Sequence, residues 1–517
     1  MMRGTDVERP FGKDRVCAVI ADRTARGMIS QMRRGLRLTR TLELRLDYLR
    51  DARERDAFLI WLTAHKPQAT MIATCRSRQG GGQFRGSRDA ELEILIQAAN
   101  AGCRWFDLEI EVARYYASGE IRKLLPSTRV LVSHHDFQRT PKNFQKVIDG
   151  LRASGVRGRS AVKIAAQCHS ISDAVRICGL AQGRRDVVAV PMGEVGMAGR
   201  ILSLRSGSQL AYASVEQATA PGQLSLQDMQ ELYRASQITS RTRVYGVIGN
   251  PIGHSLSPLL HNTAFHARKL DAVFVPFLVR EVRDFLAAIT PFGIRGFAVT
   301  IPHKEKILLY LDDCDPLAAR IGAVNTVVIR NGGRLYGYNT DYVGVLRSLQ
   351  SRMHLAGSRI LLFGAGGAAR AAAFALAQAG SQVCLTSRRP ERAQSLARAL
   401  GRNADVQVIE RSALKQESFD AIVNCTPVGM HPHGGSPLKS SELRCQVVMD
   451  MVYRPLTTDL LRQAQRQGID TISGVEMFLA QAYAQFEIWT GERAPEGAVR
   501  KTILAALQRE EKSRKRK

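Results

Sequence analysis

Two lysines stand in different surroundings and suggest two chemistries in one chain. Lys163 is the only charged residue of the run Ala161-Val-Lys-Ile-Ala-Ala166. Burial among such residues disfavours an ammonium, and the neutral amine can form a Schiff base with a ketone. A lysine snorkelling out of a strand end is the plainer alternative. A second lysine, Lys304 in Val299-Thr-Ile-Pro-His-Lys304, stands in an unrelated downstream module.

The elements needed to place Lys163 are legible upstream and downstream of it. Short apolar runs alternate with amphipathic segments, the pattern of βα units around a parallel sheet. Eight candidate strands are Val16–Ile20, Leu42–Leu46, Ala69–Ala73, Arg104–Ile110, Val130–Ser133, Ala161–Ala165, Val187–Val190 and Leu210–Val215. Eight such units predict a (β/α)8 barrel over residues 1–235, whose site would lie at the C-terminal strand ends. The polar residues fall there. Glu43, Arg45 and Asp47 alternate and so share one face, Arg76 ends the third strand, His134-His135-Asp136 ends the fifth, and Lys163 lies in the sixth.

A polar helix and a link, Ile238-Thr-Ser-Arg-Thr-Arg243, precede a new unit that opens on the strand and turn Val244-Tyr-Gly-Val-Ile-Gly-Asn-Pro-Ile-Gly-His-Ser-Leu-Ser-Pro258. Its small hydroxyls, Ser255 and Ser257, are suited to holding a carboxylate. Further on, Ser358–Phe363 reads as a strand, Gly364-Ala-Gly-Gly-Ala-Ala369 fits the G-x-G-x-x-A phosphate turn, and an alanine-rich helix start follows. That order is the dinucleotide-binding arrangement, with Gly364, Ala365, Gly366, Gly367 and Ala368 around the pyrophosphate. The next strand, Gln382–Thr386, ends in Ser387-Arg-Arg389 where an acidic residue would select NAD. Arg388 and Arg392 there favour a 2′-phosphate, hence NADP.

Composition narrows the class. The chain of 517 residues is long enough for two to four domains. No apolar run approaches the roughly 18 residues of a membrane span, so a soluble, intracellular protein is expected. Nine scattered cysteines make no Cys-x-x-Cys pair, and His431-Pro-His433 has no third ligand nearby, so neither a disulfide framework nor a metal is expected. Lys and Arg outnumber Asp and Glu by 74 to 47, a formal charge of +27 that suits anionic small molecules and permits loose association with nucleic acid. The positive charge is spread along the chain, and no nucleic-acid-binding signature accompanies it. Residues 508–517 form a basic tail expected to be solvated and disordered.

The first module closely resembles type I 3-dehydroquinate dehydratase. The stretches that carry the likeness are Glu43-Leu-Arg45, Thr74-Cys-Arg76, Ser133-His-His-Asp-Phe137, Val162-Lys-Ile-Ala165, Met192-Gly193, Arg200 and Thr219-Ala-Pro-Gly-Gln223. The resemblance implies an imine on Lys163, acid/base work by His135, and a substrate pocket of Arg200, Gln223, Glu43, Arg45, Arg76 and Thr219. The second module resembles shikimate dehydrogenase through Ser255-Leu-Ser257, Val299–Lys304, Gly322-Ala-Val-Asn-Thr326, Gly337-Tyr-Asn-Thr-Asp341, the glycine turn, Asn424-Cys-Thr-Pro-Val-Gly-Met430 and Gly474–Ala482. That likeness implies a catalytic pair of Lys304 and Asp341, and substrate contacts from Ser255, Ser257, Thr300, Asn325, Tyr453 and Gln481. It also implies a substrate-binding domain at 241–342, completed by 474–507, around an NADP-binding Rossmann domain at 343–473. Together the modules imply dehydration of 3-dehydroquinate to 3-dehydroshikimate, then NADPH-dependent reduction to shikimate.

One departure stands out. The first family usually places a glutamate four residues after the arginine matching Arg76, where it hydrogen-bonds the catalytic histidine; here that position is Gly80, and no carboxylate follows until Asp89. A weak or ligand-sensing barrel joined to a quinate/shikimate dehydrogenase is therefore an alternative. Plant enzymes resembling this fusion carry plastid transit peptides, whereas this chain enters its first strand by Val16, so a cytoplasmic location is expected.

Overall fold

The computed structural model describes residues 10–515 apart from 13, 117–120, 122, 124–127, 155–159, 217–219 and 432–433. Thr219, His433 and the last two residues of the basic tail thus lie outside the described residues. The chain divides into two compact units, residues 1–246 with 250–253 and 271–294, and residues 247–249, 254–270 and 295–517.

The first unit contains the eight expected strands: β1 (Val16–Ile20), β2 (Thr41–Arg45), β3 (Thr70–Thr74), β4 (Trp105–Glu109), β5 (Arg129–Asp136), β6 (Ser160–Gln167), β7 (Val187–Met192) and β8 (Ala211–Ser214). They pair in the order β7-β6-β5-β4-β3-β2-β1-β8, with every ladder parallel. Between the outer strands, Gln209 N–H donates to the Val187 carbonyl at 3.0 Å. The result is a nearly closed parallel α/β barrel. Its helices begin where short polar side chains can satisfy free backbone donors: Thr24, Asp51, Ser87, Asn143 and Ser170 each accept a hydrogen bond from the first turn that follows.

Strand alternation sorts the barrel interior into levels. Cys17, Ile72, Trp105, Leu131, Ala161, Val188 and Leu210 pack in one apolar cluster, and Phe11 stacks on Trp105 with ring centroids 4.1 Å apart. Two residues further along the same strand faces stand Asp107, Ser133 and Lys163, so the interior turns from apolar to charged toward the C-terminal ends.

After the barrel come β9 (Arg243–Gly249), β10 (Ala272–Leu278), β11 (Ile294–Val299), β12 (Asp313–Cys314), β13 (Thr326–Ile329) and β14 (Leu335–Tyr338), a six-stranded sheet in the order β10-β9-β11-β13-β14-β12. β13 runs antiparallel to both β11 and β14. A third sheet comprises β15 (Arg359–Phe363), β16 (Gln382–Thr386), β17 (Val406–Val408), β18 (Phe419–Asn424), β19 (Cys445–Asp450) and β20 (Asp470–Ile472). All its ladders are parallel, in the order β17-β16-β15-β18-β19-β20. This is the 3-2-1-4-5-6 order of the Rossmann fold, whose switch point falls between β15 and β18.

The chain ends in the helices Gly474–Thr490 and Glu496–Lys515. The tail expected to be disordered is thus helical as far as Lys515. Two acids account for this: Glu510 pairs with Arg454 at 3.0 Å, and Glu511 accepts the Leu456 N–H at 2.8 Å. Among the described residues no helix is long and apolar enough to cross a membrane.

Candidate active sites

Lys163 sits near the middle of β6, with a side chain only 5% exposed. Its Nζ donates to Asp107 Oδ2 at 2.7 Å and to Glu43 Oε1 at 3.4 Å, and lies 4.2 Å from the centroid of the Tyr212 ring. The flanking residues are apolar, as expected, but the amine itself meets carboxylates. Ser133, register partner of Lys163 on β5, donates to the other Asp107 oxygen at 2.6 Å, and Arg76 Nη2 pairs with that oxygen at 2.8 Å. Thr74 donates to Glu43 at 3.0 Å. Each strand from β2 to β6 therefore contributes a side chain to one buried polar network.

Three carboxylates, Glu43, Asp107 and Glu109, face two fixed cations, Arg76 and Lys163, and the excess acid shows in the electrostatics. Burial alone would push the Asp107 carboxyl up, but Arg76 and then Lys163 hold it well below the usual carboxylate range. Glu109 is not so compensated: burial, opposed by Arg76 and reinforced by Asp107, pushes it up to about 7. Burial, with Arg76 and Lys163 nearby, holds the His135 imidazole well below its ordinary value, so the ring is neutral near pH 7.

Arg200, in the helix Met197–Arg205, is buried, and among the described residues it has no carboxylate partner; one Nη donates to the Pro221 carbonyl at 3.3 Å, while Nε finds no hydrogen-bond partner among them. Burial lowers its pKa to about 10. A buried guanidinium with no carboxylate beside it among the described residues is suited to an incoming anion. Gln223 lies in the loop after β8.

The structure corrects one placement. Asp47 does not continue the inward face of β2, because the strand ends at Arg45 and Leu46–Tyr48 is a 3-10 turn. The turn brings Asp47 back onto Arg45 in a two-point pair of 2.9 and 2.8 Å, with the guanidinium 4.7 Å from the Tyr48 ring centroid. Two residues that the sequence motifs leave unmarked, Asp107 and Glu109, prove central. The signal for them was the alternation Trp105-Phe-Asp-Leu-Glu109, two acids on one face of a strand whose other residues are apolar.

In the second unit, Lys304 Nζ donates to Asp341 Oδ2 at 2.6 Å. Asp341 opens the helix Asp341–Gln350, and Asn325, just before β13, donates to its Oδ1 at 2.8 Å. Asn325 is itself fixed, since its Oδ1 accepts from the Thr340 N–H and the Thr326 hydroxyl, both at 2.7 Å. Gln481, from the helix Gly474–Thr490, joins through Thr340 at 3.4 Å and Asn325 at 3.5 Å. Segments far apart in sequence thus converge on one carboxylate. Ser257 begins the helix Ser257–Ala267, with its N–H bonded to the Ser255 hydroxyl at 3.2 Å; Thr300 follows β11, its N–H bonded to the Ile248 carbonyl; and Tyr453 stacks on Phe478.

At the switch point Gly364 has φ +122°, and a Cβ there would meet Thr426 Cγ2 at 3.0 Å. Gly366 caps the helix Gly367–Gln378, and added Cβ atoms at Gly366 and Gly367 would meet nothing within 4 Å. The helix N-terminus is therefore open to a pyrophosphate. Ala365 and Ala368 complete the turn. Ser387 follows β16, where its hydroxyl bonds the Arg389 carbonyl at 2.6 Å, and Arg388 and Arg392 are exposed beside it.

The chain matches the family model for type I 3-dehydroquinase over residues 16–240, the shikimate dehydrogenase substrate binding domain over 247–327 and the shikimate 5'-dehydrogenase C-terminal domain over 474–504. Residues 359–453 match a model described as NADP oxidoreductase, coenzyme F420-dependent. The shikimate dehydrogenase (NADP(+)) of Bacillus cereus strain G9842 is 44% identical over 51% of this chain and 99% of its own length. A solved shikimate 5-dehydrogenase from Thermus thermophilus, in complex with NADP(H) and shikimate, is 34% identical over 51% of this chain and 99% of that chain, with a TM-score of 0.47. The chloroplastic bifunctional 3-dehydroquinate dehydratase/shikimate dehydrogenase of Arabidopsis thaliana is 35% identical over 475 residues, 88% of this chain and 78% of that protein. A likeness of that extent, spanning both sites, means that the chain belongs to the bifunctional 3-dehydroquinate dehydratase/shikimate dehydrogenase family.

Proposed function

We propose that Lys163 and His135 carry the dehydration of 3-dehydroquinate, that Lys304 and Asp341 carry the reduction of the resulting 3-dehydroshikimate to shikimate, and that NADPH is the reductant. The observation that carries this reading is Lys163 itself, a lysine enclosed at the charged level of a parallel barrel with its Nζ fixed by Asp107 and Glu43. Once neutral, that amine adds to the substrate ketone. The imine, when protonated, draws electrons from the adjacent carbon and acidifies its C–H bond. His135, neutral near pH 7, takes that proton and returns one to the departing hydroxyl, which leaves as water. Hydrolysis of the conjugated imine then frees Lys163. Arg200 receives the substrate carboxylate; Gln223, Glu43, Arg45, Arg76 and Thr219 serve the hydroxyls and the pocket wall.

In the second site Ser255, Ser257, Thr300, Asn325, Tyr453 and Gln481 hold the carboxylate and ring hydroxyls of the substrate. Bound NADPH supplies the hydride. Lys304 delivers a proton to the developing alkoxide, and Asp341 keeps the lysine aimed. The glycine turn Gly364–Ala368 seats the pyrophosphate, and Ser387, Arg388 and Arg392 hold the 2′-phosphate. The corresponding modules are a barrel at 1–235, a substrate domain at 241–342 completed by 474–507, and a nucleotide domain at 343–473. Nine free cysteines, most of them buried, suit a reducing compartment, and we place the enzyme in the cytoplasm.

Borohydride trapping with 3-dehydroquinate, followed by peptide mass analysis, tests the reading when run beside an assay of NADPH loss on the same substrate. Label on Lys163 with NADPH consumption is expected. No adduct and no consumption, while added 3-dehydroshikimate is still reduced, would refute the dehydratase half.

A further inference from the structure

The carboxylate missing at position 80 has a replacement in space. Glu109, at the end of β4, carries its Oε1 3.3 Å from His135 Nδ1 and 3.5 Å from Arg76 Nε. Gly80 lies directly against it: a Cβ at that position would stand 1.9 Å from Glu109 Oε2 and 2.2 Å from Oε1. The backbone of Gly80 is not in the left-handed region, so space, not conformation, calls for glycine there. Any side chain at 80 would push the Glu109 carboxylate away from the histidine. Conversely, a glutamate at 80 and the present position of Glu109 are two ways of filling one volume beside one ring.

We infer that Glu109 is the positioning residue of His135, supplying from β4 the acid that the loop after β3 lacks. This rests on the dehydratase reading of the barrel. With Glu109 accepting from Nδ1–H, the hydrogen of the neutral ring is held on Nδ1 and Nε2 is left as the basic nitrogen for the substrate. The Nδ1 to Oε1 approach is not aligned as a hydrogen bond, and Nδ1 has no hydrogen-bond partner among the described residues. Such contacts commonly tighten in the Michaelis complex.

The charges around Glu109 set the pH at which this works. Arg76 and Lys163 favour its ionised form, while Asp107, Glu111 and Glu91 oppose it. With burial, the balance places its titration at about 7. Protonated, Glu109 offers a hydrogen to Nδ1 instead of accepting one, and the ring hydrogen moves to the nitrogen that should be free. Dehydration should therefore decline as pH falls through about 7.

The test uses the full chain and follows dehydration of 3-dehydroquinate around neutrality, with NADPH-dependent reduction of 3-dehydroshikimate as an internal measure of chain concentration. Glu109→Gln should lower kcat for dehydration roughly 10- to 100-fold and remove the acidic limb, with reduction unchanged. Adding Gly80→Glu to Glu109→Ala should recover roughly tenfold over Glu109→Ala alone, because the new side chain enters the vacated volume. A Glu109→Gln variant with the parental rate and pH profile, or a double variant no better than Glu109→Ala, would overturn the inference. A parental chain that reduces 3-dehydroshikimate but never dehydrates 3-dehydroquinate would instead overturn the dehydratase reading on which it rests.

Discussion

Asp341 is held at both oxygens: Lys304 Nζ donates to one at 2.6 Å and Asn325 Nδ2 to the other at 2.8 Å. The carboxylate therefore cannot swing away from the lysine without breaking a second, partly buried contact. Asn325 is the hinge pin of this arrangement, because its own oxygen is occupied by Thr340 and Thr326. An ion pair that is only partly buried is weakly determined by itself; the buried amide makes it a fixed geometry.

Replacing Asp341 by Asn keeps the shape and removes the charge that pairs with the lysine. Steady-state kinetics of 3-dehydroshikimate reduction should show kcat down by about 10²- to 10³-fold, within the range for a displaced general acid. The KM for NADPH should change little, and dehydration by the same chain should not change. A parental kcat would exclude Lys304 and Asp341 as the proton-donating pair.

Lys163→Met should abolish dehydration and borohydride labelling, and should also reduce stability. It strips the counter-charge from Asp107 and Glu43, and breaking a buried pair by removing one partner typically costs about 3–5 kcal/mol. Adding Asp107→Asn relieves that unpaired charge. The double variant should regain much of the lost stability in denaturant unfolding of the barrel, yet stay inactive. If Lys163→Met unfolds like the parent, Lys163 is not paired with Asp107 and Glu43 in the folded chain.

Arg388→Asp places an acid where the 2′-phosphate would sit. Reduction assays with the two nicotinamide cofactors should show kcat/KM for NADPH falling by roughly 10²-fold, the scale of about 3 kcal/mol for a lost charge-assisted contact plus repulsion. The value for NADH should hold or rise. An unchanged cofactor ratio, also with Arg392 replaced, would move the phosphate site elsewhere.

How much of this was legible in the sequence depends on the range of the interaction. The eight strands of the barrel and the glycine turn after β15 followed from local alternation and glycine placement, which act over a few residues. Lys163 and Lys304 stood out by residue type and setting, whereas the choice of His135 and the pairing of Lys304 with Asp341 came with the resemblance to the two families. Asp47 was misplaced because the end of β2 depends on an Arg45–Asp47 pair formed only as the chain turns. The helical tail escaped because its partners, Arg454 and Leu456, lie more than fifty residues upstream. Glu109 was hidden for the same reason: its meaning lies in its closeness to Gly80 and His135, on neighbouring strand ends rather than neighbouring positions.

The raised pKa of Glu109 makes it a stability liability, and its sign follows from where the proton is lost first. The carboxyl titrates at about 7 in the folded chain against an ordinary 4.5. As pH rises from 4.5 to 7 the unfolded chain loses this proton first, so the folded state loses stability across that window and the loss is complete above it. At about 1.4 kcal/mol per pH unit the whole effect is at most about 3.5 kcal/mol. Glu109→Gln cannot ionise, so its unfolding free energy relative to the parent should climb between pH 4.5 and 7 and level off above. Denaturant titrations of both proteins across that window measure the difference directly, with every other titrating group cancelling. A difference independent of pH would mean that Glu109 is ionised in the folded chain throughout, and that the three carboxylates of the barrel are better compensated than Arg76 and Lys163 alone allow.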